Sequence, residues 1–131
     1  KGYEKLKQQG IKSLVDLTLE GTKDLTEGRQ AGLAVLNVPI LDNNAPTTKE
    51  MTRFLDFATD PKNQPCYVHC QAGKGRTGVA VACYRMAVEN WPPEKALAEA
   101  KAFGLALPDQ VDFVLKFGAD LAAGKIAGYP K

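Results

Sequence analysis

The run His69-Cys70-Gln71-Ala72-Gly73-Lys74-Gly75-Arg76-Thr77-Gly78 gathers a thiol, a guanidinium, an ammonium and three glycines in one short stretch. It lies between a brief extended run, Cys66 to His69, and an almost wholly apolar stretch from Thr77 to Glu89. A tight loop between a buried strand and a buried helix aims several backbone N–H groups and the helix's positive end at one point. Gly73 and Gly75 permit the positive φ and close approach such a loop needs. Arg76 adds a fork that matches two oxygens of a phosphate. Residues 70–76 therefore read as an oxyanion cradle. Cys70 stands at its mouth, where cations and a helix N-terminus pull a thiol pKa down. Making it a thiolate at neutral pH takes about 3–4 kcal/mol, which amides, one guanidinium and a helix end can supply. A thiolate there is poised to attack the phosphorus held by the same donors.

Other readings of the loop fit less well. Gly73-x-Gly75-x-x-Gly78 matches a dinucleotide fingerprint. No second parallel strand follows, however, because Trp91-Pro92-Pro93 leads into more helix and Glu99 falls within it. A Walker-type loop needs Ser or Thr after its Gly-Lys, and Lys74 is followed by Gly75. A buried cysteine beside a glycine turn explains Cys70 but not Arg76 and Thr77-Gly78 behind it.

The elements that must position this loop can be read from periodicity. Tyr3 to Gln9 suggests a short polar helix stopped by Gly10, and Leu14, Val15, Leu17 and Leu19 a buried strand. Thr22 to Gln30 is a candidate short helix. Leu33 to Ile40 fits an interior strand, followed by the turn Asp42-Asn43-Asn44-Ala45-Pro46. Thr47 with Glu50 forms a capping box, and Met51, Phe54, Leu55 and Ala58 then recur at helical spacing until Pro61. Thr77 to Glu89 is apolar almost all round, the mark of a buried central helix. Pro93 suits the first turn of a helix facing inward through Ala96, Leu97, Ala100 and Phe103. Asp109 can cap a last helix carrying Val111, Val114, Leu115, Gly118, Leu121 and Ala122. Strands interleaved with helices, then three helices, predict an α/β domain with a small, mostly parallel central sheet flanked by helices.

Composition narrows the class. The 131 residues are 44% hydrophobic and 24% charged, as expected for one globular domain over 1–131 with a core of its own. A net charge of +2 does not argue for nucleic acid. No apolar run approaches the ~20 residues of a membrane span, so a soluble segment is expected. The three cysteines are too few for a disulfide scaffold, and a reducing, cytoplasmic setting is the simpler expectation. A monomer is expected. The chain opens at Lys1 rather than methionine, the expectation for an excerpt whose first strand or leader lies upstream.

At His69 through Gly78 the sequence resembles the cysteine-dependent protein phosphatases, in particular their compact dual-specificity branch. That family's pattern is His-Cys, five residues, Arg, Ser or Thr, Gly, and the order of elements from Gly10 to Phe117 is similar too. The resemblance implies that Cys70 forms a phosphocysteine intermediate and that Arg76 binds the phosphoryl oxygens. It implies that Thr77 hydrogen-bonds the sulfur, that His69 orients the loop and helps set the thiol pKa, and that no metal or cofactor takes part. The leaving oxygen needs a proton, which typically contributes ~10²–10⁴-fold. His69, the only histidine, is sequence-adjacent to the nucleophile and points to the other side of its strand, so a carboxylic acid is preferred. Asp42, in the turn before Pro46, sits on the kind of loop that carries the acid in the family, although Asp also forms turns on its own account. Asp56 and Asp60 are weaker candidates, within and at the end of a helix.

Gln110 stands where several compact members carry a glutamine at the start of the final helix. It is either a water-positioning residue or an exposed helix-start glutamine. Lys74 adds charge that favours substrates with more than one phosphate, and Ala72 to Gly78 is similar to the phosphatase-and-tensin lipid phosphatases. Those carry a second lysine after the cysteine, where this chain has Gln71. The implied substrates are thus phosphotyrosine and phosphoserine/threonine proteins, with phosphoinositides or inositol phosphates as the alternative and a silent phosphate-binding module as the non-enzymatic rival. Cys66 and Cys83 read as small buried hydrophobes.

Overall fold

The computed structural model describes residues 2–70 and 75–131. Its elements are helix α1 (Gly2–Gln8), strand β1 (Ser13–Asp16), a π-helical turn (Asp24–Gly28), strand β2 (Ala34–Asn37), helix α2 (Thr48–Ala58), a short 3-10 turn (Pro61–Asn63), strand β3 (Cys66–His69) and helices α3 (Gly75–Ala87), α4 (Pro93–Ala102) and α5 (Pro108–Ala122). Among the described residues the sheet has three parallel strands in the order β2-β1-β3. The expected α/β architecture is the one observed.

The strands' alternation divides the molecule. Val15, Leu17, Leu36, Val38, Val68 and Cys70 face the larger core, with α2 and the α3–α5 bundle. Leu14, Leu33 and Val35 face a smaller cluster closed by Tyr3, Leu6, Ile11 and Leu25. Neighbouring strand residues therefore report to different cores. β1 is buried along its whole length because strands flank it on both sides. β2, read from sequence as an interior strand, is instead an edge of the described sheet, its apolar run buried by packing against both cores.

Other differences have local causes. The first strand ends at Asp16, before Leu19, because the Asp16 carboxylate accepts from Thr18 N (2.7 Å) and Thr18 Oγ1 (2.6 Å) and turns the chain. Leu19 is consequently half exposed. Phe103 is exposed rather than on the inner face of α4, because the helix closes there. Gly104 (φ 113°) donates to Lys101 O and Leu105 N to Ala100 O, so Leu105 takes the core position. Pro108 occupies the first position of α5, placing Asp109 in the first turn rather than at the cap, and Leu115 falls on the exposed face. The capping box on α2 is present as expected: Glu50 N donates to Thr47 Oγ1 (3.1 Å) and Thr47 N to Glu50 Oε1 (2.8 Å).

The register aligns Asp16 with both Asn37 and His69, so all three strands end level. Everything that follows them in sequence emerges on one rim: Leu17 to Glu20, Val38 to Asp42, and Cys70. The C-terminal rim of a parallel sheet is where such folds bind ligands.

Candidate active site

Cys70 leaves β3 directly and is buried against the larger core. Gly75 opens α3, and Thr77, two residues on, turns back toward the thiol. Thr77 Oγ1 donates to Cys70 Sγ at 3.0 Å. Arg76 is 5% exposed, a depth at which an arginine needs several partners. Its Nη1 donates to Ile40 O at 2.8 Å, and its Nη2 lies 3.5 Å from Asp42 Oδ1. Its Nε is buried with no hydrogen-bond partner among the described residues, an unmet donor on the fork. Leu19, Glu20, Asp42 and Arg76 line a cavity of about 200 Å³ at this rim.

Asp42 is mostly exposed, its Oδ1 accepting from Asn43 N at 3.0 Å. It reaches the site because Ile40 N bonds to Leu17 O, which ties the loop after β2 to the one after β1. The other two acid candidates lie elsewhere. Asp56 accepts from Tyr129 OH at 2.8 Å, and Asp60 caps the 3-10 turn by accepting from Lys62 N.

Gln110 is buried, not an exposed helix-start residue. Its Nε2 donates to Asn44 O at 3.1 Å, while its Oε1 has no partner among the described residues. The same amide lies against Gly75, where an added Cβ would come within 2.8 Å of Oε1. Gly75 is thus required for close approach, not for the positive φ that the sequence suggested. Gln110 bridges the loop that carries Asp42 and the start of α3. Gln71, Ala72, Gly73 and Lys74 lie outside the described residues.

On the opposite face of the sheet, the fold assembles a cluster with no counterpart in sequence spacing. His69 Nε2 lies 2.6 Å from Asp24 Oδ2 and 3.8 Å from Asp16 Oδ2. Tyr3 OH donates to the other Asp24 oxygen, and the Tyr67 and His69 rings stack at 6.0 Å. Burial, with a further push from the neighbouring Asp24, raises the Asp16 carboxyl above the usual range. Burial pushes Asp24 up as well, but hydrogen bonds from Asp16, Tyr3 and His69 outweigh it and hold Asp24 below that range. Burial first, then Asp24, raises the Tyr3 hydroxyl. The sequence offered a weak signal for this group, an aspartate ending an otherwise apolar strand.

Burial raises both remaining thiols, Cys83 in α3 and Cys66 in β3, away from reactivity.

Residues 1–89 match the family described as "Polymorphic toxin system, DSP-PTPase phosphatase". The rat phosphatidylglycerophosphatase and protein-tyrosine phosphatase 1 is 31% identical over 103 residues, covering 74% of this chain and 53% of that protein. The chain spans about half the length of the curated relatives it matches. Among solved structures, Pseudomonas aeruginosa TpbA superposes with a TM-score of 0.73 at 25% identity, over 96% of this chain and 78% of that one. Tk-PTP in its active form gives 0.77 at 19% identity, over 89% and 84%, a likeness of fold. The loop motif, the parallel sheet and the family match converge, and the chain belongs to the dual-specificity and tyrosine phosphatase family.

Proposed function

We propose that residues 1–131 act as one catalytic unit that hydrolyses phosphomonoesters through a phosphocysteine. The observation that carries this is that Thr77 Oγ1 lies 3.0 Å from Cys70 Sγ while the preceding residue, buried Arg76, lies 3.5 Å from Asp42. In the first step the Cys70 thiolate attacks phosphorus, the P–O ester bond breaks, and Asp42 gives its proton to the leaving oxygen. Arg76 and the loop amides hold the three phosphoryl oxygens as charge moves through them. In the second step water attacks phosphorus, Asp42 takes its proton, and the S–P bond breaks. The Thr77 hydroxyl stabilises the departing sulfur. Gln110 Oε1, buried without a described partner, is the acceptor we assign to orient that water.

The substrate we favour carries one phosphate, as phosphotyrosine, phosphoserine and phosphothreonine do. Glu20 puts negative charge at the mouth of the cavity and Leu19 puts apolar surface there, which suits a single phosphate on an uncharged group. The second reading, an inositol phosphate or phosphoinositide, rests on Lys74. A monomer in a reducing compartment such as the cytoplasm suits the thiolate chemistry. Among the described residues, no helix is long and apolar enough to cross a membrane.

The test is phosphate release by native protein and by Cys70→Ser on a phosphotyrosine peptide and a soluble inositide. Turnover by native protein alone supports the thiolate mechanism, and the preferred substrate ranks the two readings. If neither protein turns over either substrate while the native loop binds vanadate, the domain is a binder and the role given to Asp42 falls.

A further inference from the structure

We propose that Asp24, held by Tyr3, is a positioning residue for Cys70, acting through His69 from the far face of the sheet. The proposal rests on the reading of Cys70 as nucleophile. His69 is the last residue of β3, and Cys70 is the first to leave it. Two contacts fix His69 independently. Its carbonyl accepts from Leu17 N at 3.0 Å, and its ring is anchored by Asp24 Oδ2 at 2.6 Å. Adjacent strand residues point to opposite faces, so locking the His69 ring on one face fixes the direction in which Cys70 departs on the other.

The chemistry of the anchor sets its sense. Asp24 is kept ionised by the donors around it, so it accepts and His69 Nε2 donates, which selects the tautomer and fixes the ring. A fixed ring holds Cys70 in the direction that brings its sulfur to the donors that favour the thiolate, such as Thr77 Oγ1 at 3.0 Å. The other titratable groups facing this pair are Asp16 from β1, Tyr3 from α1, Tyr67 from β3 and Glu27 from the π-helical turn, close enough to act on Tyr3. Asp16 is raised by burial, so it acts less as a competing anion than as a proton partner for Asp24. The carboxylate that steers His69 is therefore Asp24.

The rival explanation is purely structural, in which the cluster only fastens α1 and the π-helical turn to the sheet. Three variants separate the two. Asp24→Asn removes the charge and keeps the shape, Tyr3→Phe removes the hydroxyl clamp alone, and Leu25→Ala weakens the small core without touching His69. Two quantities are read as a function of pH: kcat/KM on a phosphotyrosine peptide, and the rate of Cys70 alkylation by iodoacetamide with the site confirmed by peptide mass. Asp24→Asn should move the alkylation midpoint to higher pH and lower kcat/KM by about tenfold or more. Tyr3→Phe should shift both in the same direction by less, and Leu25→Ala should lower Tm with the midpoint unmoved. If Asp24→Asn and Tyr3→Phe lower Tm as Leu25→Ala does while both profiles superpose on native, the proposal is overturned. Should Asp24→Asn fail to fold by circular dichroism, the Tyr3→Phe profile decides alone. Alkylation is read without turnover, so an unshifted midpoint refutes the role of Asp24, whereas phosphate release surviving Cys70→Ser refutes the nucleophile beneath it.

Discussion

Arg76 combines two duties that its planar fork makes compatible. Nη1 is spent on Ile40 O, fixing the side chain, and Nη2 lies 3.5 Å from Asp42. A lysine there would carry the charge without the fork. The short reach from Arg76 to Asp42 also sets what the acid can do. Asp42→Asn should lower kcat by about 10²–10⁴-fold on an alkyl or peptide phosphate. It should cost far less on an ester whose leaving group needs no proton, a contrast that steady-state kinetics on two leaving groups would read. Equal losses on both would remove Asp42 from proton transfer. Gly75 offers a second test, since a methyl at that position drives into the Gln110 amide at 2.8 Å. Gly75→Ala should lower both Tm and activity, and adding Gln110→Ala should restore much of the Tm but not the activity, a non-additivity that a double-mutant cycle measures.

At the scale of elements, α2 holds a loop rather than the chemistry, whereas α3 carries Arg76 and Thr77 in its first turn. The α2 box closes the helix that follows the Asp42 loop, satisfying backbone donors that would otherwise be unpaired. Thr47→Ala should cost about 1 kcal/mol of stability, lowering Tm by roughly 2–6 °C in a chain of this size, with kcat nearly unchanged. Thermal unfolding followed by circular dichroism checks this. A comparable fall in kcat with no change in Tm would mean that the box tunes the Asp42 loop directly. α2 was legible because Met51, Phe54, Leu55 and Ala58 recur at helical spacing on one buried face, and α3 because it is apolar almost all round, as a central helix is. Leu19 and Phe103 were misassigned because hydrophobicity does not tell where a turn or a cap ends the face.

For the whole molecule, the two cores respond differently to insult. Phe117 is fully buried in the larger core, where Phe→Ala replacements typically cost about 3–5 kcal/mol. Against a total stability of about 5–15 kcal/mol, Phe117→Ala should leave a marginal protein, visible as a large drop in the urea midpoint. The acidic pair gives the molecule a pH response with opposing signs. Asp16, raised by burial, contributes stability that is full below the ordinary aspartate range and lost as pH rises through its elevated folded value. Asp24, held low by its donors, contributes stability present above that range and lost as pH falls. Asp16→Asn imitates the protonated acid, so it should flatten the decline of stability on the alkaline side. Urea unfolding across pH would show this, and an unchanged slope would mean that Asp16 is not the group responsible.

Local chemistry was readable from the chain alone. The strand-loop-helix order, the His-Cys to Arg-Thr-Gly spacing and the box at Thr47 depend on residues close in sequence, and backbone geometry turns such spacing into placement with little help from elsewhere. Asp42 was readable as a candidate acid on a turn, and the fold places it 3.5 Å from Arg76. What the chain could not display were pairings across long separations. Tyr3 reaches Asp24 across 21 residues, Asp24 reaches His69 across 45, and Gln110 reaches Asn44 across 66. Those meetings depend on which strands lie side by side and where they end, a choice made by burying two apolar faces at once. No periodicity along the chain records it. The proposed nucleophile and the motif of its loop were thus legible in the sequence, while the groups that hold His69 and bridge the Asp42 loop to α3 were decided by tertiary structure.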